Sequence, residues 1–433
     1  MVGYQGLSRF FSAVGIGLLV LFWGFLPTQL GKHFWPPFSL VNGIRVDYLA
    51  PTLYLTDLIA LSLILVVLLK QGLPKRRQLV IGTAVALVLL LPLIWVSSPW
   101  LHFLGWVKLV ELVGLFWAVR QVRLSAGKKL LLCLLIVIGL SLLVVAQTQL
   151  QRSVGGWAYW LGERRFTAYT PGIAQAEGGG GLRVRPPATF SHPNSLAGFL
   201  VVLWWLAIDQ FTLLKKSVAS SRVRLGLAGG GLAAAISLLL TWSRTAWVVA
   251  FITLGLAAAR VWRRPIRWGW ITGVALGLAW FFPLVVRIAA DLAPHLTDQE
   301  SFSLRDQLFT VGTELIARQP VWGVGLKGFV PSLGNQPLAV NRAFLQPIHN
   351  GFWLIGTEAG FVGLVLVLWG ILKGGQRIQQ QKRWGLWLAL LTIILTSAND
   401  HYWVTLQQNQ LLVVLVAAEA WSRIPVSTPP KKE

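Results

Sequence analysis

One histidine stands where a polar segment of roughly sixty residues runs into an apolar helix. His349-Asn350 precedes an apolar run that begins at Gly351, and Glu358 and Gly360 lie within that run. An imidazole at such a boundary can accept a proton near neutral pH in a site that excludes water. His349 is therefore a candidate general base. The simpler interpretation is a helix-start histidine satisfied by the backbone or by a lipid headgroup.

Basic residues are the second chemical feature. Arg244 follows Trp242-Ser243 in a polar interruption between two apolar runs, where a charge is costly unless it pairs or lines a wet cavity. Arginines that cluster without matching carboxylates suit a phosphate-bearing ligand. Arg164 and Arg165 fit that description, but they equally fit contact with lipid headgroups.

The composition decides the class of protein that positions these residues. The chain is 55% hydrophobic and only 12% charged, with 23 tryptophans. A bilayer core needs about 20 apolar residues per helix, and lipid permits only helices or closed barrels. The sequence predicts an all-α polytopic membrane protein with about 12 transmembrane helices. The predicted spans are Phe11–Leu30, Leu53–Leu69, Leu79–Ser97, Trp100–Val119, Leu130–Ala146, Ser195–Leu214, Leu225–Trp242, Thr245–Ala259, Trp268–Val286, Gly351–Ile371, Gly385–Ser397 and Leu411–Trp421.

The connections between these spans differ in their content of lysine and arginine. Every second connection carries a block of four. The blocks are Lys70, Lys75, Arg76 and Arg77; Arg120, Arg123, Lys128 and Lys129; Lys215, Lys216, Arg222 and Arg224; Arg260, Arg263, Arg264 and Arg267; and Lys373, Arg377, Lys382 and Arg383. This positive-inside pattern predicts a multi-pass protein with both termini in the cytoplasm. The net charge of +23 is then a topology signal and does not indicate a nucleic-acid partner.

The same topology divides the chain into one integral membrane domain, residues 1–423, and a short cytoplasmic tail, 424–433. The single cysteine, Cys133, excludes an intrachain disulfide and a cysteine-based metal site. Lys108 and Glu111, three residues apart within a span, are expected to pair on one helix face.

The three long polar loops, 31–52, 147–194 and 287–350, all fall on the outer face. In the largest loop, Ser303 is predicted to cap a short amphipathic helix that ends before Pro320. The following Gly323–Gly328 segment has the form G-x-G-x-x-G, but no βαβ unit surrounds it. We interpret it as a tight turn and not as a dinucleotide site.

Four motifs in order resemble one family. Phe190-Ser191-His192-Pro193-Asn194-Ser195-Leu196-Ala197 resembles its F-x-H-P-N-x-L-A signature, and Arg185 lies upstream at the usual offset. Ser243-Arg244-Thr245-Ala246 resembles its S-R-x-A element, and Arg305 and His349-Asn350 with Glu358-x-Gly360 complete the pattern over roughly residues 160–365. The family is the O-antigen ligase and O-antigen polymerase superfamily, membrane glycosyltransferases of the GT-C type. The Asn399-Asp400-His401 turn contributes only topology to this resemblance.

The resemblance implies transfer of a glycan from an undecaprenyl (polyprenyl) diphosphate carrier to an acceptor hydroxyl at the outer, periplasmic face of a bacterial inner membrane. It implies an inverting reaction, with His349 as the base and no cofactor or metal. Arg185, Arg244 and Arg305 would hold the diphosphate, and the supporting residues would be His192, Asn194, Asn350 and Glu358. His192 is the rival base.

The partners implied are the lipid-linked glycan donor, a glycan, lipid or protein that bears the accepting hydroxyl, and membrane lipid. Two alternatives remain. The nearer is a polysaccharide polymerase or protein O-glycosyltransferase of the same superfamily. The more distant is a transporter or flippase of lipid-linked sugars, which would bind nearer the membrane midplane.

Overall fold

The computed structural model describes residues 2–73, 76–178, 181–214, 220–261, 299–334 and 344–422. Its helices are α1 Val2–Gly24, α2 Leu55–Gln71, α3 Arg76–Leu90, α4 Pro99–Gln121, α5 Ala126–Leu150, α6 Trp157–Trp160, α7 Pro193–Thr212, α8 Ser221–Leu240, α9 Arg244–Val261, α10 Gln299–Arg318, α11 Phe329–Leu333, α12 Gly351–Gln380, α13 Trp384–Ser397, α14 Tyr402–Thr405 and α15 Gln407–Ala420. Short 3-10 turns lie at Pro37–Ser39 and Leu91–Ile94.

The protein is mostly helical, and six helices in the described residues are long and apolar enough to cross a membrane. These six lie on α1, α4, α5, α7, α8 and α12. Eleven of the predicted spans coincide with helices, whereas Trp268–Val286 lies outside the described residues. The helices α13 and α15 have 14 residues each, short of the roughly 20 that a crossing needs. A membrane protein is confirmed, and the total of twelve crossings stays a prediction.

The polar loops contain strands as well as coil, which the all-α expectation did not include. Each strand pairs antiparallel with one other in a two-stranded sheet. The pairs are β1 Gly31–His33 with β4 Thr52–Tyr54, β2 Leu40–Val41 with β3 Ile44–Arg45, and β5 Gln175–Gly178 with β6 Gly181–Val184.

Several helix boundaries differ from the prediction, and for two of them a local cause is visible. The first helix ends at Gly24 and not at Leu30, since Pro27 has no amide hydrogen to continue the ladder. The predicted cap at Ser303 is wrong, because α10 already includes Gln299 and Glu300, which are good helix formers. Its apolar face nevertheless packs inward and its last residue precedes Pro320, as predicted.

Helix α7 is the most buried of the six long apolar helices. It packs against α5, α8, α9 and α13, and its face contributes Leu196, Phe199 and Leu206 to the main apolar core. The N-terminal end of α7 is therefore fixed on several sides. Any side chain at its first residues is positioned by the whole helical bundle.

A second, smaller core lies among the polar loops. Leu308 and Val311 of α10 meet Val41 and Leu49 of loop 31–52, and Ile348 reaches the same cluster. This core joins the first and third polar loops, so that they form one packed layer over the ends of the membrane helices.

Two polar networks cross the apolar interior. Lys108 contacts Glu111 at 2.9 Å, as predicted, and also Asp57 at 2.7 Å. In the second network, which lies near the C-terminal end of α7, Arg383 contacts Asp209 at 2.5 Å and Glu419 at 2.7 Å. Lys129 binds the same glutamate. Lys129 and Arg383 belong to the basic blocks that indicate topology, but their charges are neutralised inside the bundle, which ties together α5, α7, α13 and α15.

Candidate active site

His349 lies at the seam between the two cores. Its neighbour Ile348 packs into the second, smaller core, whereas Phe352, one turn later, packs into the main core. Asn350 caps α12, because its side-chain oxygen accepts from the amide of Trp353 at 3.0 Å. The Asn350 amide also donates to the carbonyl of Ala398 at 3.0 Å, which fastens this helix start to the end of α13.

The imidazole of His349 lies between two polar side chains. Nδ1 lies 3.6 Å from a carboxylate oxygen of Asp400, and Nε2 lies 3.2 Å from Oε1 of Gln346. Both side chains of the first pair are largely buried, at 15% and 12% exposed. A carboxylate at Nδ1 favours the tautomer with its proton there, whereas a hydrogen bond from Nε2 to Oε1 of Gln346 needs the proton on Nε2. Nε2 can act as a proton acceptor only in the first of these tautomers.

Asp400 is the most connected residue of the site. One oxygen accepts from the amide of His401 at 2.8 Å, and the other accepts from Nδ2 of Asn194 at 3.3 Å. Burial opposes ionisation, yet the contact with His349 and the charges around it hold the pKa of Asp400 well below its usual range. The carboxylate is thus ionised at neutral pH.

A second imidazole, that of His401, completes this group. Its ring centroid lies 5.1 Å from that of His349, and Tyr48 of loop 31–52 packs edge-on against it at 5.3 Å. Its Nδ1 lies 2.7 Å from Oγ1 of Thr405. Burial lowers the pKa of His401 to about 3, so its ring stays neutral at physiological pH.

Arg185 approaches from the β5–β6 hairpin. Its Nη2 donates to Oδ1 of Asn194 at 2.6 Å, and its Nε donates to the carbonyl of Thr241 at 2.9 Å, at the end of α8. Burial and the neighbouring positive charges of Arg305 and Arg244 lower the pKa of Arg185 to about 10. The guanidinium stays charged at pH 7, and the shift shows that the three cations share one electrostatic environment.

The other two arginines come from separate elements. Arg244 is exposed and opens α9 after Trp242, whose positive φ of 52° marks the predicted break between α8 and α9. Arg305 is half-buried on α10, and its charge also depresses the pKa of His192 and His401. Arg244 and Arg305 are thus close enough to Arg185 for their charges to act on it, although the roles of these residues stay predictions.

His192 has a structural position of its own. It is the N-cap of α7, where its Nδ1 accepts from the amide of Asn194 at 3.1 Å, and Pro193 occupies the first turn. Burial lowers the pKa of His192 to about 4. Nδ1 of His192 is thus used in capping the helix. Nδ1 of His349, by contrast, makes no hydrogen bond within 3.5 Å.

Glu358 lies apart from this group, on the glycine turn. Its carboxylate accepts from the amides of Lys327 at 2.9 Å and Phe329 at 3.4 Å. Helix α12 is interrupted nearby at Gly360, which has a positive φ of 63°, and a side chain there would collide with the backbone of Val321. The segment Gly323–Gly328 is thus a tight turn, as predicted, docked on a break in α12.

One group of side chains could also ligate a metal. Among the described residues, His349, Asp400 and His401 offer ligand atoms that all lie within 4.8 Å of one another. Each of these side chains already has a partner within the protein: Gln346 for His349, Asn194 for Asp400 and Thr405 for His401. Three arginines also act on the same space, and their charge repels a cation.

The comparison with protein families matches residues 229–368 to Wzy_C, described as O-antigen ligase. The chain carries an O-antigen ligase domain. This is a family of enzymes, so the expectations of an enzyme and of the family are both confirmed. The comparison with curated proteins found no match.

The O-antigen ligase domain contains Arg244, Arg305 and His349, but Arg185 and Asp400 lie on either side of it. Sequence reasoning missed Asp400, His401 and Tyr48. The Asn399-Asp400-His401 turn was assigned only topology, yet it supplies the carboxylate beside His349. Its signal was an acid next to a histidine in a short turn between two apolar runs.

Proposed function

We propose that the protein transfers a glycan from a polyprenyl diphosphate carrier to an acceptor hydroxyl at the outer face of the membrane. The observation that carries this proposal is the pairing of His349 with Asp400 beside three arginines from three different segments. A base with an orienting carboxylate and a cluster of guanidinium groups are what a sugar acceptor and a diphosphate leaving group respectively require.

In the proposed reaction, Nε2 of His349 takes the proton of the acceptor hydroxyl as its oxygen attacks the anomeric carbon. The carbon–oxygen bond to the diphosphate breaks, and direct displacement inverts the configuration. Asp400, whose carboxylate oxygen lies 3.6 Å from Nδ1, stabilises the imidazolium that forms. No proton needs to reach the leaving group, because the arginines compensate its charge.

Arg185, Arg244 and Arg305 are assigned to the diphosphate. A guanidinium presents parallel donors that match two phosphate oxygens at once. Arg185 is preorganised by Asn194 and by the Thr241 carbonyl, so it loses little side-chain freedom on binding. Because these cations already supply the positive charge, we assign the group of His349, Asp400 and His401 to proton transfer and not to a metal.

The proposed orientation places both termini in the cytoplasm and this site at the periplasmic face of a bacterial inner membrane. It follows from the basic blocks of the sequence, and their described members Lys70, Arg123 and Arg377 lie at or just beyond the C-terminal ends of helices whose N-terminal ends meet the polar loops. Lipid-linked glycans are consumed at that face, so the orientation and the proposed chemistry are consistent with each other.

The test is transfer by the purified protein in lipid nanodiscs, with an undecaprenyl-diphosphate glycan and a set of acceptors. We expect a product with the combined mass of acceptor and glycan, release of undecaprenyl diphosphate, and an unchanged rate in excess EDTA. Growth of the glycan on the carrier itself would identify a polymerase. Loss of activity in EDTA that returns with a divalent metal would overturn the metal-free mechanism.

A further inference from the structure

A cavity of about 320 Å³ opens between α1, α2 and α4. It lies at the C-terminal end of α2, whose 17 residues rise about 25 Å. The N-terminal end of α2 follows loop 31–52, which contacts His401 through Tyr48. The cavity is therefore on the far side of the membrane core from the candidate active site and cannot form part of it.

The walls and the mouth of the cavity differ in chemistry. Ile16, Val66 and Val122 line the inner part, and Lys70 and Arg123 lie at the rim. Both cations are exposed, and no carboxylate in the described part of the chain pairs with either of them. This differs from Lys108 and Lys129, which are both paired within the bundle.

We propose that this cavity binds a phospholipid with an anionic headgroup. Its phosphate and headgroup would lie between Lys70 and Arg123, and the first part of an acyl chain would lie against Val66 and Val122. Two unpaired cations above an apolar cleft between helix ends have the charge and the polarity gradient of such a lipid. A soluble anion would not need the apolar walls, and a zwitterionic lipid would gain little from two cations.

The cavity has the volume for part of a lipid and not for a whole one, since ligand pockets begin at roughly 300 Å³. The rest of the chain would remain in the bilayer. With the orientation proposed above, the lipid comes from the inner leaflet. The binding site itself does not depend on the glycan-transfer proposal.

The test is native mass spectrometry of the detergent-purified protein titrated with phosphatidylglycerol or with phosphatidylcholine of the same acyl chains. We expect phosphatidylglycerol to bind more tightly. Lys70→Gln should weaken it roughly 5-fold, and Lys70→Gln with Arg123→Gln roughly 25-fold, at the usual contribution of one cation near a lipid headgroup. Val66→Phe keeps both cations but fills the cavity, and it should also weaken binding.

The matched control is Arg222→Gln with Arg224→Gln, which removes two exposed cations at the start of α8, away from the cavity. Phosphatidylglycerol binding should be unchanged in this control. An equal loss in the control would show diffuse attraction and overturn the proposal. Equal binding of phosphatidylcholine, or displacement of the lipid by an equal concentration of inorganic phosphate, would overturn it as well.

Discussion

Asp400 links the side chains of His349 and Asn194. One of its oxygens lies 3.6 Å from Nδ1 of the histidine, and the other accepts from the asparagine amide at 3.3 Å. Asn194 in turn accepts from Arg185 at 2.6 Å. A continuous line of polar contacts therefore joins the proposed base to a proposed diphosphate-binding arginine.

Replacement of His349 by alanine should lower turnover by roughly 10²–10⁴-fold, the usual loss for a positioned acid–base group. Binding of the diphosphate carrier should change little, since the arginines provide that attraction. The comparison is with His192→Asn, which preserves the cap of α7 but removes the imidazole. We expect a much smaller loss there, measured in the transfer assay at equal protein abundance. An inactive His192→Asn protein beside an active His349→Ala protein would mean that His192 is the base.

Replacement of Arg244 or Arg305 by lysine should reduce transfer substantially while protein abundance in the membrane holds. Lysine keeps the charge but cannot bind two phosphate oxygens through one planar group. Arg183→Lys is the control, because Arg183 is exposed on the same hairpin as Arg185. Wild-type rates in both the Arg244 and Arg305 variants would show that these side chains only anchor loops.

Asp400→Asn should lower turnover by roughly 10²-fold or more with little change in donor affinity. The amide is nearly the same shape, but it no longer stabilises an imidazolium at His349. The assay is a full kinetic profile, and Glu177→Gln, on the exposed face of β5, serves as the control. If the variant raised KM and left kcat unchanged, Asp400 would be part of donor binding and not a partner of the base.

Acidification should destabilise the protein through the imidazoles of His192 and His401. In the folded chain burial lowers the pKa of His192 to about 4 and of His401 to about 3, whereas unfolded histidine has its ordinary value near 6.5. Between these values the unfolded state binds more protons, so stability falls as pH decreases, by roughly 1–2 kcal/mol per histidine at pH 5. Thermal unfolding in detergent between pH 7.5 and 5 measures this. His192→Asn should show a shallower slope, and an unchanged slope would contradict the assignment.

A cysteine in place of Tyr169 should react with a membrane-impermeant maleimide in intact cells, whereas one in place of Gln379 should not. Tyr169 is 94% exposed in the second polar loop, and Gln379 is exposed near the C-terminal end of α12. A Cys133→Ser background removes the one native thiol, which is buried. The reverse labelling pattern would invert the proposed orientation.

Most helices could be predicted from the sequence, because an uninterrupted apolar run in a membrane can form little other than a helix. The sequence was also sufficient for the break at Ser243-Arg244, where polar residues interrupt such a run. It did not reveal the break at Gly360, since a glycine within an apolar run carries no polar signal. That break depends on the docking of the Gly323–Gly328 turn, which is a tertiary contact.

The motifs pointed to the arginines and the histidine of the candidate site, but they did not point to the carboxylate of Asp400 beside that histidine. Asp400 becomes a partner of His349 only because α13 packs against α7 and α12. For the same reason Arg383 was interpreted as a charge at the membrane surface. Its contact with Asp209 joins residues far apart in the chain and has no local sequence signature.

The placement of Arg185 and Asp400 outside residues 229–368 has a consequence for protein engineering. If the matched domain alone were grafted into another membrane scaffold, it would bring the proposed base without its carboxylate and two of the proposed diphosphate-binding arginines without the third. A chimera that exchanges glycan specificity between two such enzymes would therefore need crossover points before the β5–β6 hairpin and after α14. Exchange at the family boundaries would separate side chains that must have adapted to one another.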